Sequence, residues 1–461
     1  MPVRVLADID RQKALALEEM KLDVDSIIVQ QTPVRHYRFG SLACHILGYL
    51  SQIDHWRLTK LEDYGYKTKD VVGFGGVEEK YDYYLRQEDG GLSVEVDHQG
   101  RFTRVLGFKP PVRGKDIQLT IDSRVQRIAE DALEGKKGAI VIMDPDNGEV
   151  IACASSPSFD PSIFVKKSHE QMSLTLTDPN APLMNRAVTG TYPPGSVFKL
   201  VGASAGLETK KINSSTTYYC PGSLQIGARA FKCWNTHDDQ DLTQAIAQSC
   251  DVFFYKTGLA VGGQAIHDFA LRLGMGRPTG IELPYESTGS VPNPFWKRMY
   301  KFRRWYDGDT ANLVIGQGEL LTSPLQLVRM MAVFANGGKL VTPYIIKSID
   351  SKDVSASHRK VTPVRFRVDT IEKIRRGLRE AVSGSRGTAG VLADAHVSVA
   401  GKTGTAQTSD EKNHAWFSGF FPFEAPEFAV CVFIERGGHG SSAAAITKDM
   451  IAAMQQEGVI R

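Results

Sequence analysis

Ser196 and Lys199 stand three residues apart in Tyr192-Pro193-Pro194-Gly195-Ser196-Val197-Phe198-Lys199. The Pro-Pro-Gly turn is stiff, and the apolar, small-residue run from Val197 to Leu207 has the character of a buried helix. Ser196 is therefore expected at a helix N-terminus, with Lys199 about one turn on and on the same face. A serine hydroxyl becomes a useful nucleophile only beside a base, and a lysine in a dry pocket can lose its proton near neutrality. Free N–H groups and the dipole at the helix start favour an oxyanion. Taken alone, such a quartet is more often a serine cap with a solvated lysine.

Two further clusters bear on that reading. Ser249-Cys250-Asp251 lies between a helical stretch, Leu242 to Gln248, and the apolar run Val252 to Tyr255. Ser249 could relay a proton and Asp251 could hold a lysine or a substrate amide, although a helix cap explains the trio equally well. Gly401-Lys402-Thr403-Gly404-Thr405 falls within a predicted strand, Ser398 to Thr408. Glycine weakens a strand interior unless something must approach the backbone closely, and a substrate pairing as an added strand would do so. Lys402 would attract a carboxylate, with Thr403, Gly404 and Thr405 offering hydroxyls and open backbone; the plain alternative is a bulged edge strand. The three clusters in this order, at a helix start, a helix end and an inner strand, are far more specific than any one of them. They are the signature set of penicillin-recognising serine acyltransferases.

The surrounding pattern supplies elements to hold these residues. Ile117 to Ile121 reads as a strand, Asp122-Ser123 caps a helix, and Ala139 to Met143 with Glu149 to Ala154 flank hairpin turn chemistry at Asp144 to Gly148. From about 196 to 335 the chain reads as mainly helical, with a polar, aromatic loop from Pro292 to Asp309. His414 to Phe421 and Phe428 to Glu435 read as strands, and Ile446 to Gln456 as a closing helix. Strands from both ends around a helix-rich middle predict an α+β domain: one antiparallel sheet, helices on both faces and a helical subdomain. Ahead of it, Asp10 to Met20 reads as a helix, Ile27 to Val29 as a short strand and Gln87 to Gly91 as a turn. Lys109-Pro110-Pro111 is a stiff break. The boundary is placed there, giving a smaller mixed region, 1–112, and a larger one, 113–461.

Composition narrows the function. With 42% hydrophobic and 23% charged residues the chain is ordinary globular protein, and a net charge of +3 without basic runs gives no case for nucleic acid. Six cysteines are too few for a disulfide scaffold, and no run approaches the roughly 18 apolar residues of a membrane span.

On its three motifs the chain resembles the class B penicillin-binding proteins, most of all the elongation type. The likeness extends over nearly the whole chain. Pro33 to Arg38, Ala43 to Tyr49, Gly76-Val77-Glu78, Tyr81-Asp82, Leu85-Arg86, Glu95-Val96-Asp97 and Gly100-Arg101 resemble the family's N-terminal pedestal, although Phe74 replaces a basic residue usual there. Pro182 to Ala187, Ile315 to Gly318 and His414 to Phe420 are similar to blocks of its transpeptidase domain, and aspartate at Asp251 favours the elongation type over the division type.

The resemblance implies that Ser196 attacks the penultimate D-alanine carbonyl of a stem peptide, with Lys199 as base and Ser249 and Lys402 helping proton transfer. Terminal D-alanine leaves, and an amine on a neighbouring stem takes the acyl group. Backbone N–H groups of Ser196 and Thr405 would form the oxyanion hole, and Lys402, Thr403 and Thr405 would hold the donor carboxylate. β-Lactams would stall the acyl-enzyme. It implies cell-wall elongation and shape maintenance at the periplasmic face of the inner membrane, with a membrane glycosyltransferase as partner and an anchor upstream of this chain's beginning. Serine acyl transfer needs no organic cofactor. Some relatives bind zinc near Cys220, Cys233, His237 and Cys250, a plausible tetrahedral set; in an oxidising periplasm a Cys220–Cys233 disulfide is the simpler expectation, with free thiols between the two. Rival activities are a D,D-carboxypeptidase, which passes the acyl group to water, and a non-catalytic β-lactam sensor or scaffold. A class A β-lactamase is disfavoured because no Glu-x-x-Leu-Asn loop is present.

Overall fold

The computed structural model describes residues 5–6, 9–20, 29, 34–99, 101–408 and 412–460. The chain divides into two units, Met1–Arg38 and Phe39–Arg461. In the first, a helix spans Arg11–Met20, and Asp10 caps it by accepting the Lys13 N–H at 2.8 Å. The strand expected at Ile27 to Val29 lies, but for Val29, outside the described residues.

The second unit opens with small paired elements. Tyr49–Gln52 and Val71–Phe74 form an antiparallel pair, and Gly91–Val96 and Phe102–Lys109 a longer hairpin. In place of the turn expected at Gln87 to Gly91, Glu88 bridges to Val112. Ile117–Leu119 is the expected strand, and Asp122 accepts the Arg124 N–H at the start of α1 (Ser123–Ala132).

The main sheet draws strands from distant parts of the sequence. Gly138–Met143 (β1) and Val150–Ser156 (β2) form the predicted hairpin; Ala400–Ala406 (β3), His414–Phe421 (β4) and Phe428–Ile434 (β5) complete five antiparallel strands in the order β3-β4-β5-β1-β2. Both faces are covered, so strand residues alternate between two apolar clusters rather than between core and water. Ile140, Ile142, Val430 and Val432 pack with α1, whereas Val141, Met143, Cys431 and Phe433 belong to the cluster on the other face.

On that other face lie α2 (Lys199–Glu208), α3 (Leu242–Ala247), α4 (Asp251–Val261), α6 (Asp307–Val314), α7 (Pro324–Ala335) and α8 (Val368–Ser383), while α5 (Pro294–Lys301), between α4 and α6 in the chain, has no buried residue. Every residue of α7 is buried, and its start is fixed by a Ser323/Gln326 capping box with Pro324 in the first turn. The closing helix α9 runs Gly440–Gln456, beginning six residues before the expected Ile446. Its small first turn, Gly440-Ser441-Ser442, hides the start in the sequence and allows close packing: a Cβ on Gly440 would lie 2.8 Å from the Gly404 carbonyl oxygen. Two further expectations are corrected. The segment 218–240 holds four short strands rather than helix and loop, and Pro292 to Asp309 contains α5 rather than loop alone.

Candidate active site

Ser196 sits in a 3-10 turn, Gly195–Phe198, that runs straight into α2 at Lys199. Sequence places the pair at a helix start; the tighter turn is what the Pro193-Pro194-Gly195 approach adds. That approach is clamped from two sides. The Trp416 indole donates to the Pro193 carbonyl at 2.9 Å, and Gly195 N–H donates to the Gly316 carbonyl at 3.0 Å. Gly195 has φ +54°, and a Cβ there would lie 2.5 Å from the Thr405 carbonyl oxygen and 3.1 Å from its nitrogen, so only glycine lets this turn press against β3.

Lys199 is completely buried and its ammonium is saturated. It donates to the Ser249 carbonyl at 2.7 Å and the Ser249 hydroxyl at 3.1 Å, and pairs with Asp251 Oδ1 at 2.7 Å. The Ser249-Cys250-Asp251 trio is the turn between α3 and α4. Ser249 has φ +57°, a left-handed conformation that costs a serine roughly 1–3 kcal/mol. The surrounding helices hold it there: Cys250 N–H donates to the Ala245 carbonyl at 3.0 Å, and Cys250 Sγ accepts the Phe253 N–H. Burial pushes the Asp251 carboxyl above its ordinary range, and the Lys199 charge pulls it back.

Lys402 is the second fully buried lysine. Burial first, then the Lys199 charge, drives its ammonium well below the ordinary lysine value, with Asp251 opposing. A second ammonium in a dry site beside one carboxylate is disfavoured, and Lys402 is driven toward its neutral form.

β3 is an edge strand rather than the inner strand expected, and its pairing with β4 runs without a bulge from Ala400 to Ala406. Its outer edge is the place where another extended chain can add. A Cβ on Gly404 would lie 2.8 Å from the Pro194 carbonyl oxygen and 2.9 Å from a Val197 methyl, so this glycine admits the Ser196 turn. Thr403 Oγ1 donates to Thr388 Oγ1 at 2.8 Å, and Thr405 Oγ1 accepts the Gly440 N–H at 3.1 Å, leaving the Thr405 hydroxyl proton available. Ser196, Lys199, Ser249, Asp251, Lys402, Thr403, Gly404 and Thr405 thus share one groove.

Sequence reasoning missed the residues that brace it. Arg186 pairs with Glu435 at 2.8 Å, and the Tyr192 hydroxyl donates to the same carboxylate oxygen at 2.8 Å, fixing the entry to the Ser196 turn against the end of β5. Gln317 Nε2 donates to the Thr405 carbonyl at 3.3 Å. Arg186 lies in the Pro182 to Ala187 block, Tyr192 opens the Ser196 motif and Gln317 lies in the Ile315 to Gly318 block, but sequence gave none of them a partner.

The cysteine expectation is corrected. Cys220 and Cys233 are free thiols, not a disulfide. Their sulfurs face His237 Nδ1 at 3.6 and 3.5 Å, and with Cys250 the four ligand atoms all lie within 4.8 Å of one another. Hydrogen bonds from Cys250 and His237 push the Cys233 thiol down, while the Cys250 thiol is pushed up by Cys233 and by burial. Three sulfurs and one imidazole converging on a point fit a tetrahedral zinc ion in number, type and spacing. Cys250 is also the middle residue of the Ser249–Asp251 turn.

This geometry agrees with the comparisons to known proteins. The family model described as penicillin binding protein transpeptidase domain matches residues 138–452. The chain belongs to the penicillin-binding transpeptidases. A second family model, the penicillin-binding protein dimerisation domain, matches residues 1–119. Among curated relatives of this transpeptidase, the peptidoglycan D,D-transpeptidase MrdA of Acinetobacter baumannii is 33% identical over 93% of this chain and 67% of its own length, and that of Haemophilus influenzae 35% identical over 89% and 67%. Among solved structures, Helicobacter pylori PBP2 in complex with MreC superposes with a TM-score of 0.88 at 29% identity, covering 99% of this chain and 85% of that one. Pseudomonas aeruginosa PBP2 in complex with WCK 5153 gives 0.80 at 34% identity, covering 91% and 90%. The α+β fold expected from sequence is the fold found. Among the described residues no helix is long and apolar enough to cross a membrane.

Proposed function

We propose that this chain cross-links peptidoglycan stem peptides as a serine D,D-transpeptidase of cell-wall elongation and shape maintenance, with residues 113–461 doing the chemistry and 1–112 serving as pedestal. The observation that carries the residue roles is the Lys199 ammonium, saturated by Ser249 and Asp251 one turn beyond Ser196 and across the groove from a buried Lys402.

The donor stem adds to the β3 edge with its terminal carboxylate towards Lys402, Thr403 and Thr405. Lys199 hands one of its three protons through the Ser249 hydroxyl to a neutral Lys402 and takes the Ser196 proton in its place, as Ser196 Oγ forms a bond to the penultimate D-alanine carbonyl carbon. The tetrahedral oxyanion sits against the N–H groups of Ser196 and Thr405, a pair worth about 10²–10³ in rate per donor. The C–N bond breaks, the departing D-alanine amine takes the proton back, and an acceptor amine repeats the sequence in reverse to free Ser196. A β-lactam follows the first half and stops there. Cys220, Cys233, His237 and Cys250 would hold a zinc ion whose contribution is structural, tying the 218–240 strands to the turn that carries Ser249 and Asp251. We place this chemistry at the periplasmic face of the inner membrane, with a membrane glycosyltransferase as the pedestal's partner and no nucleic acid partner.

Defined stem peptides test the reaction. Incubation with a pentapeptide donor and an amine acceptor is expected to give cross-linked dimer with one D-alanine released per bond. D-alanine release without dimer at saturating acceptor would instead mark a D,D-carboxypeptidase.

A further inference from the structure

Beside the groove, on the Gln317 side, lies a cavity of about 420 Å³ that the acyl-transfer steps do not use. Its wall is built by α5, which Asn293 caps by accepting the Trp296 N–H at 2.7 Å, and by the segment after it. Residues 297–304 carry Lys297, Arg298, Lys301, Arg303 and Arg304 with no carboxylate among them. Lys297, Lys301 and Arg303 line the cavity. Lys297 pairs with Asp309 at 2.6 Å and Lys301 with Glu319 at 3.0 Å. Arg303 has no partner among the described residues, so three cations against two carboxylates leave one positive charge unanswered.

The rest of the wall is suited to a peptide. The Trp305 indole is fixed by donating to Thr310 Oγ1 at 2.8 Å, and Trp296 stands on another side. The Asn312 carboxamide, which has no hydrogen-bond partner among the described residues, faces both this cavity and a second hollow of about 320 Å³. Gln317, which lines the cavity, holds the Thr405 carbonyl, and its neighbour Gly316 packs against Gly195, so the cavity borders the Ser196 turn.

We propose that this cavity is a subsite for a stem-peptide carboxylate other than the terminal one, with Arg303 as its ionic partner, Asn312 pairing with peptide amide and the two indoles flanking the chain. Guanidinium matches carboxylate in a two-point geometry that lysine cannot copy, and the neighbouring ion pairs keep the other cations from competing. The inference rests on the transpeptidase reading, since it takes the ligand to be the strand already seated on β3.

The test is calorimetric binding of a stem pentapeptide, with its internal carboxylates free or amidated, to the Ser196→Ala chain. Roughly tenfold tighter binding of the free form is expected. Arg303→Gln is expected to abolish that preference and Arg303→Lys to keep part of it, with penicillin acylation of the Ser196-intact Arg303→Gln chain unchanged within twofold. Because the ligand is taken to be the donor strand on β3, penicilloylation of Ser196 in the Ser196-intact chain is expected to abolish peptide binding, and retention of the peptide on penicilloylated enzyme would overturn that placement. An unchanged preference in Arg303→Gln, or equal weakening of both peptides, overturns the proposal. Absence of any penicillin adduct on the unmodified chain would overturn the acyl-enzyme reading instead, while the binding preference still judges the subsite.

Discussion

The groove around Ser196 and the hairpin Gly91–Lys109 invert the usual distribution of polar and apolar groups in opposite ways. The groove buries two lysines completely and satisfies one of them three times over. The hairpin exposes every residue of both strands, Leu92, Val94, Val96, Phe102, Val105, Leu106 and Phe108 among them. Buried charge is tolerated only where it is paired or pushed neutral, and such sites cluster where chemistry is done. A two-stranded ribbon is marginal by itself, and exposed apolar patches mark interaction surfaces. On the proposed function each region is completed from outside, by an extended peptide on β3 in one case and by another protein chain in the other.

Substitutions should separate the two regions by the size and kind of their effects. The largest loss belongs to Lys402→Arg, which forces a permanent charge where burial favours a neutral amine: acylation by penicillin should fall about 10²–10³-fold. In the unsubstituted chain acylation should rise with pH through the depressed Lys402 value. Stability should rise over the window from that value up to the ordinary lysine value, because there the unfolded chain binds the proton and the folded one does not. A stopped-flow pH profile checks the first and denaturant titration the second; a flat profile in both would remove Lys402 from the proton path. Next comes Ser249→Ala, which deletes one hydrogen bond to a charged group and should slow acylation by roughly tenfold to a hundredfold.

The thiol cluster should give an intermediate result. Elemental analysis is expected to find about one zinc per chain, and Cys220→Ser to lose it with a fall in Tm of about 5 °C or more. Zinc-free protein of unchanged Tm would show the cluster to be four packed side chains. The smallest effect on chemistry belongs to the hairpin: Phe108→Glu should leave penicillin acylation within twofold while blocking stimulation of the glycosyltransferase proposed as the pedestal's partner. A matched loss of both would mean that the hairpin supports the fold of the groove.

The residues proposed to do the chemistry were legible because each sits in a local signal. Ser196 follows a proline-glycine turn, Asp251 starts an apolar helix, and the Lys402 strand alternates glycine with polar residues. The sheet was legible because its strands are long and apolar. What escaped depends on contacts far apart in sequence. Glu435 meets Arg186 and Tyr192 only after β5 has been laid beside β1, and nothing near it announces the pairing. The strands between Tyr218 and Gln240 are three or four residues each, too short and polar for a period to show. The α5 helix was legible in principle, since Asn293-Pro294 is a cap followed by proline and Phe295, Trp296, Met299 and Tyr300 recur at helical spacing; it was read as loop although its apolar face is exposed and none of its residues is buried. The disulfide expectation failed because the fold turns the Cys220 and Cys233 sulfurs towards His237 and Cys250, an arrangement that spacing alone does not show.

The most direct test of the central claim is intact mass spectrometry after labelling with a fluorescent penicillin, on the unsubstituted chain and on Ser196→Ala. One stable adduct per chain, lost in Ser196→Ala of unchanged fold, is the predicted result. No adduct on well-folded unsubstituted protein, or an adduct that survives Ser196→Ala, would contradict the assignment of Ser196 as the acylated nucleophile.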